Sequence, residues 1–578
     1  MKNHFPSLSA AFIAISAMTG ASMAEAAATA KDALAFDAAG YTTLHISVDG
    51  APMEVRRYKV VYVAKPVEMA ATQPARAGGP PGAPPGAAPG APAGARGDGA
   101  PVTAPDPLGY QTMYIYVPSR SYNDTRTAII LQVGNGGWVA SQAQDRIREG
   151  GTFLSTSDTD NTGAALKAGY IIANAGTRSR GIKGADGSWV GKSPAVVVDA
   201  KAAVRYLRYN DAVMPGSAER IVITGTSGGG GLSVAVAASG NSPDYFPFLA
   251  QIGAAGIDAA GKSTVRDDIF ATVAYCPIND LGHADLEYEW QYNAVRSAAN
   301  TTRGQYPPDM QSASAALAAA FPAYLASLHL KREDGAALTP ERLQEAILAQ
   351  AKRGTEAGIA RGEHIPALGE DFMLSNRGNT TRLRNDWLVV ENGVVKSIDY
   401  KKYLQFVASA TALKTAPAFD ASASTGNKGV SGENTLYGPA NVEYANFAEY
   451  SWNHNDVPGD ASGADDTGKN WAAYINSAPG KLLVQQVKMS TPIPYLNTAA
   501  DAAPYWYVRH GMVDRDTSFA TQLVLYYAIL NDPSVRDLNF QLAWLKPHSG
   551  NYDVREAYAW VADVLAKAGD PTLRAARK

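Results

Sequence analysis

The sequence contains a single cysteine, Cys276, among its 578 residues. One cysteine excludes an internal disulfide, a CxxC redox pair and a multi-thiolate zinc site. The sequence also lacks a long basic run, and its 51 Lys and Arg residues are balanced by 54 Asp and Glu residues. This charge distribution excludes nucleic acid as the expected partner, because phosphate-backbone binding requires a concentrated positive surface. The composition assigns no oligomeric state.

Long apolar runs are also absent. Beyond the N-terminus no segment reaches the roughly 18 consecutive apolar residues of a membrane span. Residues 1–24 open with Lys2 and His4, continue through an apolar stretch at Leu8–Ala17 and end on the small residues Ser22-Met23-Ala24. This order is typical of a secretory signal peptide. We therefore expect cleavage of residues 1–24 and export to the periplasm or the medium.

A hydrophobic content of 46% is enough for a large core. One segment differs from this composition: residues 72–107 contain a Pro/Gly/Ala-rich tract that cannot build a packed core. β-Prone segments flank the tract at Glu54–Ala64 and Gly109–Pro118. The sequence therefore predicts a disordered loop between two neighbouring strands.

The next part of the chain alternates short apolar runs with glycine-rich loops and helical patterns. Apolar runs at Ala128–Val133, Gly169–Ala175 and Glu219–Thr226 predict buried strands, and Ala195–Tyr209 carries apolar residues at helical spacing. Strands that alternate with helices are typical of a parallel sheet. The predicted fold class is α/β, with a doubly wound, mostly parallel sheet of the α/β-hydrolase type.

A G-x-S-x-G motif, Gly225–Gly229, lies where the Glu219–Thr226 strand meets a small-residue helix that runs to Ala238. This strand–turn–helix context is the one in which a nucleophilic serine is exposed on a tight turn. Ser227 is therefore the predicted nucleophile. The alternative is a glycine-rich helix start that binds an anion with Ser227 as its cap, but the G-x-x-x-x-G-K-[ST] pattern is absent.

The C-terminal region supplies an acid and a base in the order that this fold requires. Asp514 and Asp516 lie between a predicted strand, Tyr505–His510, and a helix over about 517–530. His548 follows the next predicted strand, Asn539–Leu545, and precedes a helix near Val554–Ala568. A histidine activates the serine and a carboxylate orients the imidazole. The residue pattern leaves Asp514 and Asp516 both open as the acid.

An oxyanion hole is also predicted from the turns. The backbone amide of Gly228 would donate to the negative oxygen, with a second amide from the Gly134–Gly137 loop. The pattern does not choose between Gly136 and Gly137.

Residues 285–490 interrupt the hydrolase pattern with predicted helices at Gln311–Leu330 and Thr339–Arg361. We expect an inserted lid domain here, with the hydrolase core formed by 25–284 and 491–578. An acidic stretch, Asp456–Asp466, departs from the spacing of a calcium loop and is interpreted as a solvated loop. No metal or cofactor is expected. Cys276, in an apolar strand context, is expected to be a small buried core residue.

Several collinear segments resemble the bacterial tannases, α/β-hydrolases that cleave galloyl esters. They are GTSGGGG (225–231), ASGNSPDY (238–245), DDIFATVAYCPINDLGHADLEYEW (267–290), KTAPAFD (414–420), DRDTSF (514–519) and PHSGNYD (547–553). The resemblance implies a Ser227–Asp514–His548 triad. It also implies that Lys414, Glu433 and Asp516 contact the phenolic hydroxyls of gallate. Thr226 and Ser549 stand where the fungal relatives place a cysteine pair, so the bacterial branch fits better.

The expected function is that of a secreted serine esterase, which would release gallic acid from hydrolysable tannins and gallate esters through an acyl-serine intermediate. Its expected partner is a small phenolic ester. Three alternatives remain: an esterase for feruloyl, other hydroxycinnamoyl or aliphatic esters, a serine peptidase on the same scaffold, and a binding module with a non-functional triad.

Overall fold

The computed structural model of the protein describes residues 32–73, 102–103, 106–376, 379–422, 431–457 and 463–569. The predicted signal peptide and most of the Pro/Gly/Ala tract lie outside these residues, as do residues 458–462 of the predicted acidic loop. None of the described helices is both long and apolar enough to cross a bilayer.

The strands are β1 Tyr41–Val48, β2 Ala51–Val61, β3 Thr72–Gln73, β4 Val102–Thr103, β5 Thr112–Pro118, β6 Ile129–Val133, β7 Thr152–Phe153, β8 Ile171–Ala175, β9 Ile221–Thr226, β10 Ala271–Tyr275, β11 Asp371–Asn376, β12 Asn379–Arg384, β13 Leu388–Glu391, β14 Val394–Ile398, β15 Tyr505–Gly511 and β16 Asp537–Ala543. The helices are α1 Asn161–Ala168, α2 Ala195–Tyr209, α3 Gly228–Ala238, α4 Phe246–Gln251, α5 Ala284–Tyr292, α6 Pro308–Ser327, α7 Pro340–Ala360, α8 Tyr400–Ala410, α9 Glu449–Asn453, α10 Ala464–Thr467, α11 Trp471–Tyr474, α12 Ala478–Met489, α13 Phe519–Leu530 and α14 Val554–Gly569.

A ten-stranded sheet in the order β16-β15-β10-β9-β6-β8-β5-β2-β1-β7 organises the fold. The six strands from β16 to β8 are parallel to their neighbours, whereas β5, β2 and β1 pair antiparallel. Strands β6, β8 and β10 are buried along their whole length, as expected where helices cover both faces. The predicted α/β-hydrolase fold with a mostly parallel sheet is confirmed.

Side chains on the two faces of the sheet enter two hydrophobic cores. Helices α2, α3 and α13 pack on one face with Ile129 and Ile171, whereas α1 and α14 pack on the other with Ile130 and Ile172. Neighbouring residues of a strand point to opposite faces, so each central strand contributes to both cores. The doubly wound arrangement follows directly from this alternation.

The Pro/Gly/Ala tract connects strands that are neighbours in the sheet, as predicted. β2 and β5 pair antiparallel from Val55↔Pro118 to Val61↔Thr112. Strand β2 begins and ends three residues earlier than the predicted Glu54–Ala64. The tract therefore belongs to a connection that leaves the sheet after β2 and returns at β5, at the same end of this strand pair.

Among the described residues between Tyr275 and Tyr505, no strand joins the ten-stranded sheet. This part of the chain forms α5 to α12 and two hairpins, β11–β12 and β13–β14. Helix α7 begins after Thr339, whose hydroxyl accepts a hydrogen bond from the Arg342 amide as an N-cap. Both predicted helices of this region are present, at α6 and α7.

Helix α7 lies against the sheet rather than apart from it. A Cβ at Gly354 would lie 2.1 Å from the Leu542 carbonyl oxygen of β16, so only glycine permits this close approach. Leu343, Ile347 and Ala351 of α7 share one hydrophobic core with the sheet residue Leu542. The region between β10 and β15 is thus continuous with the core of the hydrolase sheet.

Candidate active site

Ser227 occupies a strained turn between β9 and α3. Its backbone angles are φ 63° and ψ −125°, a conformation that non-glycine residues rarely adopt. Its amide donates to the Tyr275 carbonyl oxygen and its own carbonyl accepts from the Ile278 amide, at 2.9 and 3.1 Å. The end of β10 therefore holds the strained residue in place, with its hydroxyl exposed at the edge of the sheet.

The residue after the serine must be glycine for a different reason. A Cβ at Gly228 would lie 2.2 Å from the Trp138 nitrogen and 2.4 Å from the Asn135 oxygen, both in the loop after β6. This close approach brings the start of α3 against that loop. The two backbone segments that were predicted to form an oxyanion hole are therefore adjacent.

Ser227, His548 and Asp514 form one hydrogen-bonded chain. The Ser227 Oγ lies 2.8 Å from His548 Nε2, and His548 Nδ1 lies 2.8 Å from Asp514 Oδ2. Asp514 is fully buried, and its Oδ1 accepts from the Asp516 amide at 2.8 Å. The structure thus brings the three predicted residues together in the geometry in which a serine hydroxyl can pass its proton to an imidazole.

Of the two carboxylates left open by the residue pattern, Asp514 makes the short contact. Asp516 Oδ2 lies 3.7 Å from His548 Nδ1, and its other oxygen pairs with Arg515 Nη1 at 2.8 Å. Asp516 is also partly exposed, whereas Asp514 is not. This geometry favours Asp514 as the partner of the imidazole and leaves Asp516 as a second, more exposed carboxylate near it.

The two carboxylates set the charge balance at His548. Burial lowers the pKa of the His548 imidazole, but the charges of Asp514 and Asp516 outweigh burial and leave this pKa well above its usual value. Burial raises the pKa of Asp514, but His548 and His510 lower it below its usual range. Asp514 is therefore an anion wherever the fold is intact at neutral pH.

The loop after β6 offers backbone amides at the start of α3. Gly137 has a positive φ of 59°, and its carbonyl accepts from Arg180 Nε at 2.7 Å. The Gly136 amide already donates to the Gly134 carbonyl at 3.0 Å, and the Trp138 amide donates to Asn135 at 2.8 Å. Between the two glycines left open by the sequence, this arrangement favours Gly137 as the second amide beside Gly228.

The three residues predicted to contact phenolic hydroxyls form one charged group. Burial lowers the pKa of the Lys414 ammonium below its usual value, and the nearby charges of Glu433 and Asp516 offset only part of this shift. Lys414 Nζ lies 3.8 Å from the centre of the Phe419 ring. Asp516 links this charged group to the hydrogen-bonded chain of Ser227, since it lies beside both Lys414 and His548.

Two neighbours of the His548–Asp514 pair were missed at the sequence level. Cys276 is buried as predicted, but it follows β10 directly and its Sγ donates to the Ser549 carbonyl at 3.0 Å. His510 is in a strand as predicted, yet its Nδ1 lies 3.4 Å from Asp514 Oδ2. The Cys276 contact joins loops that are distant in the sequence, so no local pattern could indicate it. His510 and Asp514 are only four residues apart at the end of β15, and this short spacing was the available signal.

Cys276, Asp514 and His548 present ligand atoms within 4.8 Å of one another, a spacing that would also suit a metal ion. Burial raises the pKa of the Cys276 thiol to about 11, and the charge of Asp514 adds to this shift. A thiol must lose its proton to bind a metal well. The chemistry of the set therefore favours a hydrogen-bonded chain over a metal centre.

Comparison with known proteins places this geometry in context. A model of the BD-FAE family matches residues 113–318. A solved structure of a tannin acyl hydrolase in complex with 3,4-dihydroxybenzoate is similar, with 28% identity, 92% of this chain and 99% of that chain covered, and a TM-score of 0.69. The Fusobacterium nucleatum tannase gives the same values.

The native tannin acyl hydrolase from Lactobacillus plantarum is similar as well, at 27% identity, with 92% of this chain and 99% of that chain covered and a TM-score of 0.68. No curated protein sequence matches the chain. The resemblance to bacterial tannases that the motifs indicate is therefore confirmed over most of the chain.

Proposed function

We propose that this chain, whose structure resembles those of the bacterial tannases, is a serine carboxylic ester hydrolase that cleaves galloyl esters. Similarity to the tannases over most of the chain supports ester hydrolysis as the class of reaction. The observation that carries the proposal is the hydrogen-bonded chain of Ser227, His548 and Asp514 at the strained turn after β9.

The reaction proceeds in two halves at Ser227. Its Oγ attacks the ester carbonyl carbon while His548 Nε2 takes the hydroxyl proton, and Asp514 stabilises the resulting imidazolium. The amides of Gly228 and Gly137 donate to the oxyanion. The intermediate then collapses, the alcohol leaves with the proton from His548, and an acyl-serine ester remains. Water, deprotonated by His548, attacks that ester. Ser227 Oγ then leaves with the proton from His548, and the free acid is released.

Lys414, Glu433 and Asp516 are proposed to hold the three vicinal hydroxyls of the galloyl ring. Carboxylates accept hydrogen bonds from phenolic O–H groups, and an ammonium donates to a phenolic oxygen. A similar solved structure is described as a tannin acyl hydrolase in complex with ethyl gallate, which supports this assignment. A site that bonds substrate hydroxyls rejects analogues without them more strongly than an apolar pocket does.

The region between 285 and 490 is proposed to cover the site as a lid, because it contributes Lys414, whose charge acts on Asp516 beside His548. Export after removal of residues 1–24 is part of the same proposal, since these residues have the pattern of a secretory signal peptide. The partner is a small phenolic ester, and the reaction as written requires no cofactor.

Release of gallic acid from methyl gallate tests the proposal, measured beside methyl ferulate and with the Ser227→Ala variant. We expect fast cleavage of the gallate ester and a loss on the order of 10⁶-fold in kcat for Ser227→Ala. Ser233→Ala is the matched control, since this buried hydroxyl lies on the same helix and donates to the Gly229 carbonyl, away from His548.

Each of the other outcomes would overturn a different part of the proposed function. Faster cleavage of ferulate makes the chain a hydroxycinnamoyl esterase, and cleavage of aminopeptide substrates instead makes it a peptidase. Ligand binding without turnover in the wild type makes it a binding module. Retained activity in Ser227→Ala removes Ser227 as the nucleophile.

A further inference from the structure

The segment from Lys414 to Asp420 is irregular backbone, yet it carries the ammonium that the proposed function places on the galloyl ring. Its position is not set by a helix or a strand ladder. Instead, several hydrogen bonds to side chains hold its backbone, and two of these side chains, Asp285 and Tyr288, belong to α5.

The backbone of Lys414 is held on both sides. Its amide donates to the Tyr288 hydroxyl at 3.2 Å, and its carbonyl accepts from Arg296 Nη1 at 2.6 Å. Arg296 is itself held by a buried ion pair with Glu289, in which Nε lies 2.7 Å from Oε2. The Ser314 hydroxyl donates to the same carboxylate oxygen at 2.5 Å. The peptide units on either side of the Lys414 Cα are therefore bound to buried side chains, and Arg296 is itself held by an ion pair.

Asp285, at the start of α5, holds the rest of the segment. Its Oδ1 accepts from the amides of Ala418 and Phe419 at 2.5 and 2.8 Å, and its Oδ2 accepts from the Asp420 amide at 2.9 Å. Burial raises the pKa of Asp285 to about 6, and these three amides act against that shift. One carboxylate thus fixes three consecutive residues, including the Phe419 ring that lies under the Lys414 ammonium.

Asp420 extends the same arrangement to Glu433. Its Oδ1 accepts from Asn434 Nδ2 at 2.7 Å and from Asn446 Nδ2 at 2.6 Å, and its Oδ2 accepts from the Phe447 amide at 2.9 Å. Asn434 is the residue after Glu433. The two carboxylates Asp285 and Asp420 therefore connect α5 with both residues of the region that are assigned to the phenolic hydroxyls.

A role in folding alone does not account for this placement. Buried carboxylates are costly, and a loop can be covered with apolar side chains at lower cost. A buried ammonium and a facing carboxylate, by contrast, bind rigid hydroxyls well only when both are fixed before the ligand arrives.

We infer that Asp285 and Asp420 are positioning residues that set the location of the Lys414 ammonium and the Glu433 carboxylate, and so determine selectivity for hydroxylated acyl groups. This inference rests on the proposed function. It separates selectivity from chemistry, because neither carboxylate touches the Ser227–His548–Asp514 chain.

The test compares kcat/KM for methyl gallate with kcat/KM for 4-nitrophenyl acetate, an activated ester without ring hydroxyls. In Asp285→Asn, we expect the gallate value to fall about 10²-fold, as for other displacements of binding groups by an ångström. KM for gallate should rise. Turnover of 4-nitrophenyl acetate and the melting temperature of the protein should stay at their wild-type values, which would show that the triad and the fold are intact.

Glu287→Gln is the matched control. Glu287 lies on the same helix, is equally buried, and within the described residues neither of its carboxylate oxygens has a hydrogen-bond partner. The inference predicts an unchanged ratio of the two kcat/KM values in this variant. An equal fall in both variants would mean that any polar change in α5 disturbs the site, and would overturn the inference.

Tyr288→Phe keeps the result decisive if Asp285→Asn does not fold. It removes only the oxygen that accepts from the Lys414 amide, so we expect the ratio to fall about tenfold, in line with one unpaired buried donor. A folded variant with the wild-type ratio overturns the inference. Failure of the proposed function shows separately, as wild-type protein that does not prefer gallate or as activity retained in Ser227→Ala.

Discussion

The residues proposed to carry out the reaction and those proposed to recognise the substrate are positioned in two different ways. Ser227, Asp514 and His548 each follow the carboxyl end of a parallel strand, namely β9, β15 and β16. Lys414 and Glu433 instead lie on backbone outside the sheet, held by the buried carboxylates of Asp285 and Asp420.

This difference has a functional meaning. Strand ladders place the triad through many backbone hydrogen bonds that no single side chain controls. A polar network places the recognition groups through a few side chains, each of which one substitution can remove. Such a division lets substrate preference change while the reaction itself is kept.

The largest effect is expected for the residues that the sheet positions. Asp514→Asn should reduce kcat about 10⁴-fold, because the amide no longer holds the imidazole tautomer or stabilises its charge. The loss should be equal for methyl gallate and 4-nitrophenyl acetate. Asp532→Asn, a buried carboxylate after the other end of α13, is the control. A loss confined to gallate would contradict the assignment of Asp514.

Lys414→Met should show the opposite pattern. We expect kcat/KM for methyl gallate to fall about 10²-fold, because two carboxylates and the ring hydroxyls lose their cation. Steady-state kinetics on 4-nitrophenyl acetate should stay at the wild-type value. Lys402→Met, on the exposed face of α8, controls for loss of a lysine. Equal loss on both esters would erase the distinction between the two sets of residues.

Phe419→Leu should give a smaller effect of the same kind. The Lys414 ammonium lies 3.8 Å above this ring, a contact that contributes about 1 kcal/mol. Gallate kcat/KM should therefore fall about fivefold. Thermal unfolding of the variant, measured in parallel, separates this loss from a packing defect. An increase in gallate turnover would contradict the role of the ring.

The smallest effect is expected at Asp516, which lies near both the reaction residues and the recognition residues. His548 must be neutral to act as a base, and its raised pKa places the acid limb of kcat/KM above the ordinary histidine value of about 6.5. Asp516→Asn removes one of the charges that raise this pKa, so the acid limb should move to lower pH. The pH profile is measured on 4-nitrophenyl acetate, where ring hydroxyls are absent. A limb that stays in place would show that Asp516 does not act on His548.

Most of the sheet, the proposed nucleophile and the proposed base were predictable because their signals are local. Apolar runs of the right length mark β6 and β8, and glycine flanks mark the turn at Ser227. The order of acid and base after the nucleophile is a property of the fold, which made His548 identifiable by its loop but left Asp514 and Asp516 both open until the family resemblance favoured Asp514. The bounds differed by a few residues, as at β2, which ends at Val61 where its pairing with β5 ends.

The features of the site that the sequence pattern did not predict depend on contacts between distant parts of the chain. Gly136 and Gly137 are equivalent by pattern, and only the Gly136 hydrogen bond to Gly134 distinguishes them. Asp285 looks like an ordinary first-turn acid of α5, although it holds a segment more than a hundred residues away. The positions of Lys414 and Glu433 came from resemblance to a family, since irregular backbone carries no period to analyse.

The close contact between α7 and β16 at Gly354 also bears on how the protein moves. Because one hydrophobic core spans the sheet and the region between β10 and β15, opening that region as a rigid body would expose the interior of the hydrolase itself. Substrate exchange must then use loop and side-chain motion at the cleft rim, and heat should melt both parts in a single calorimetric transition.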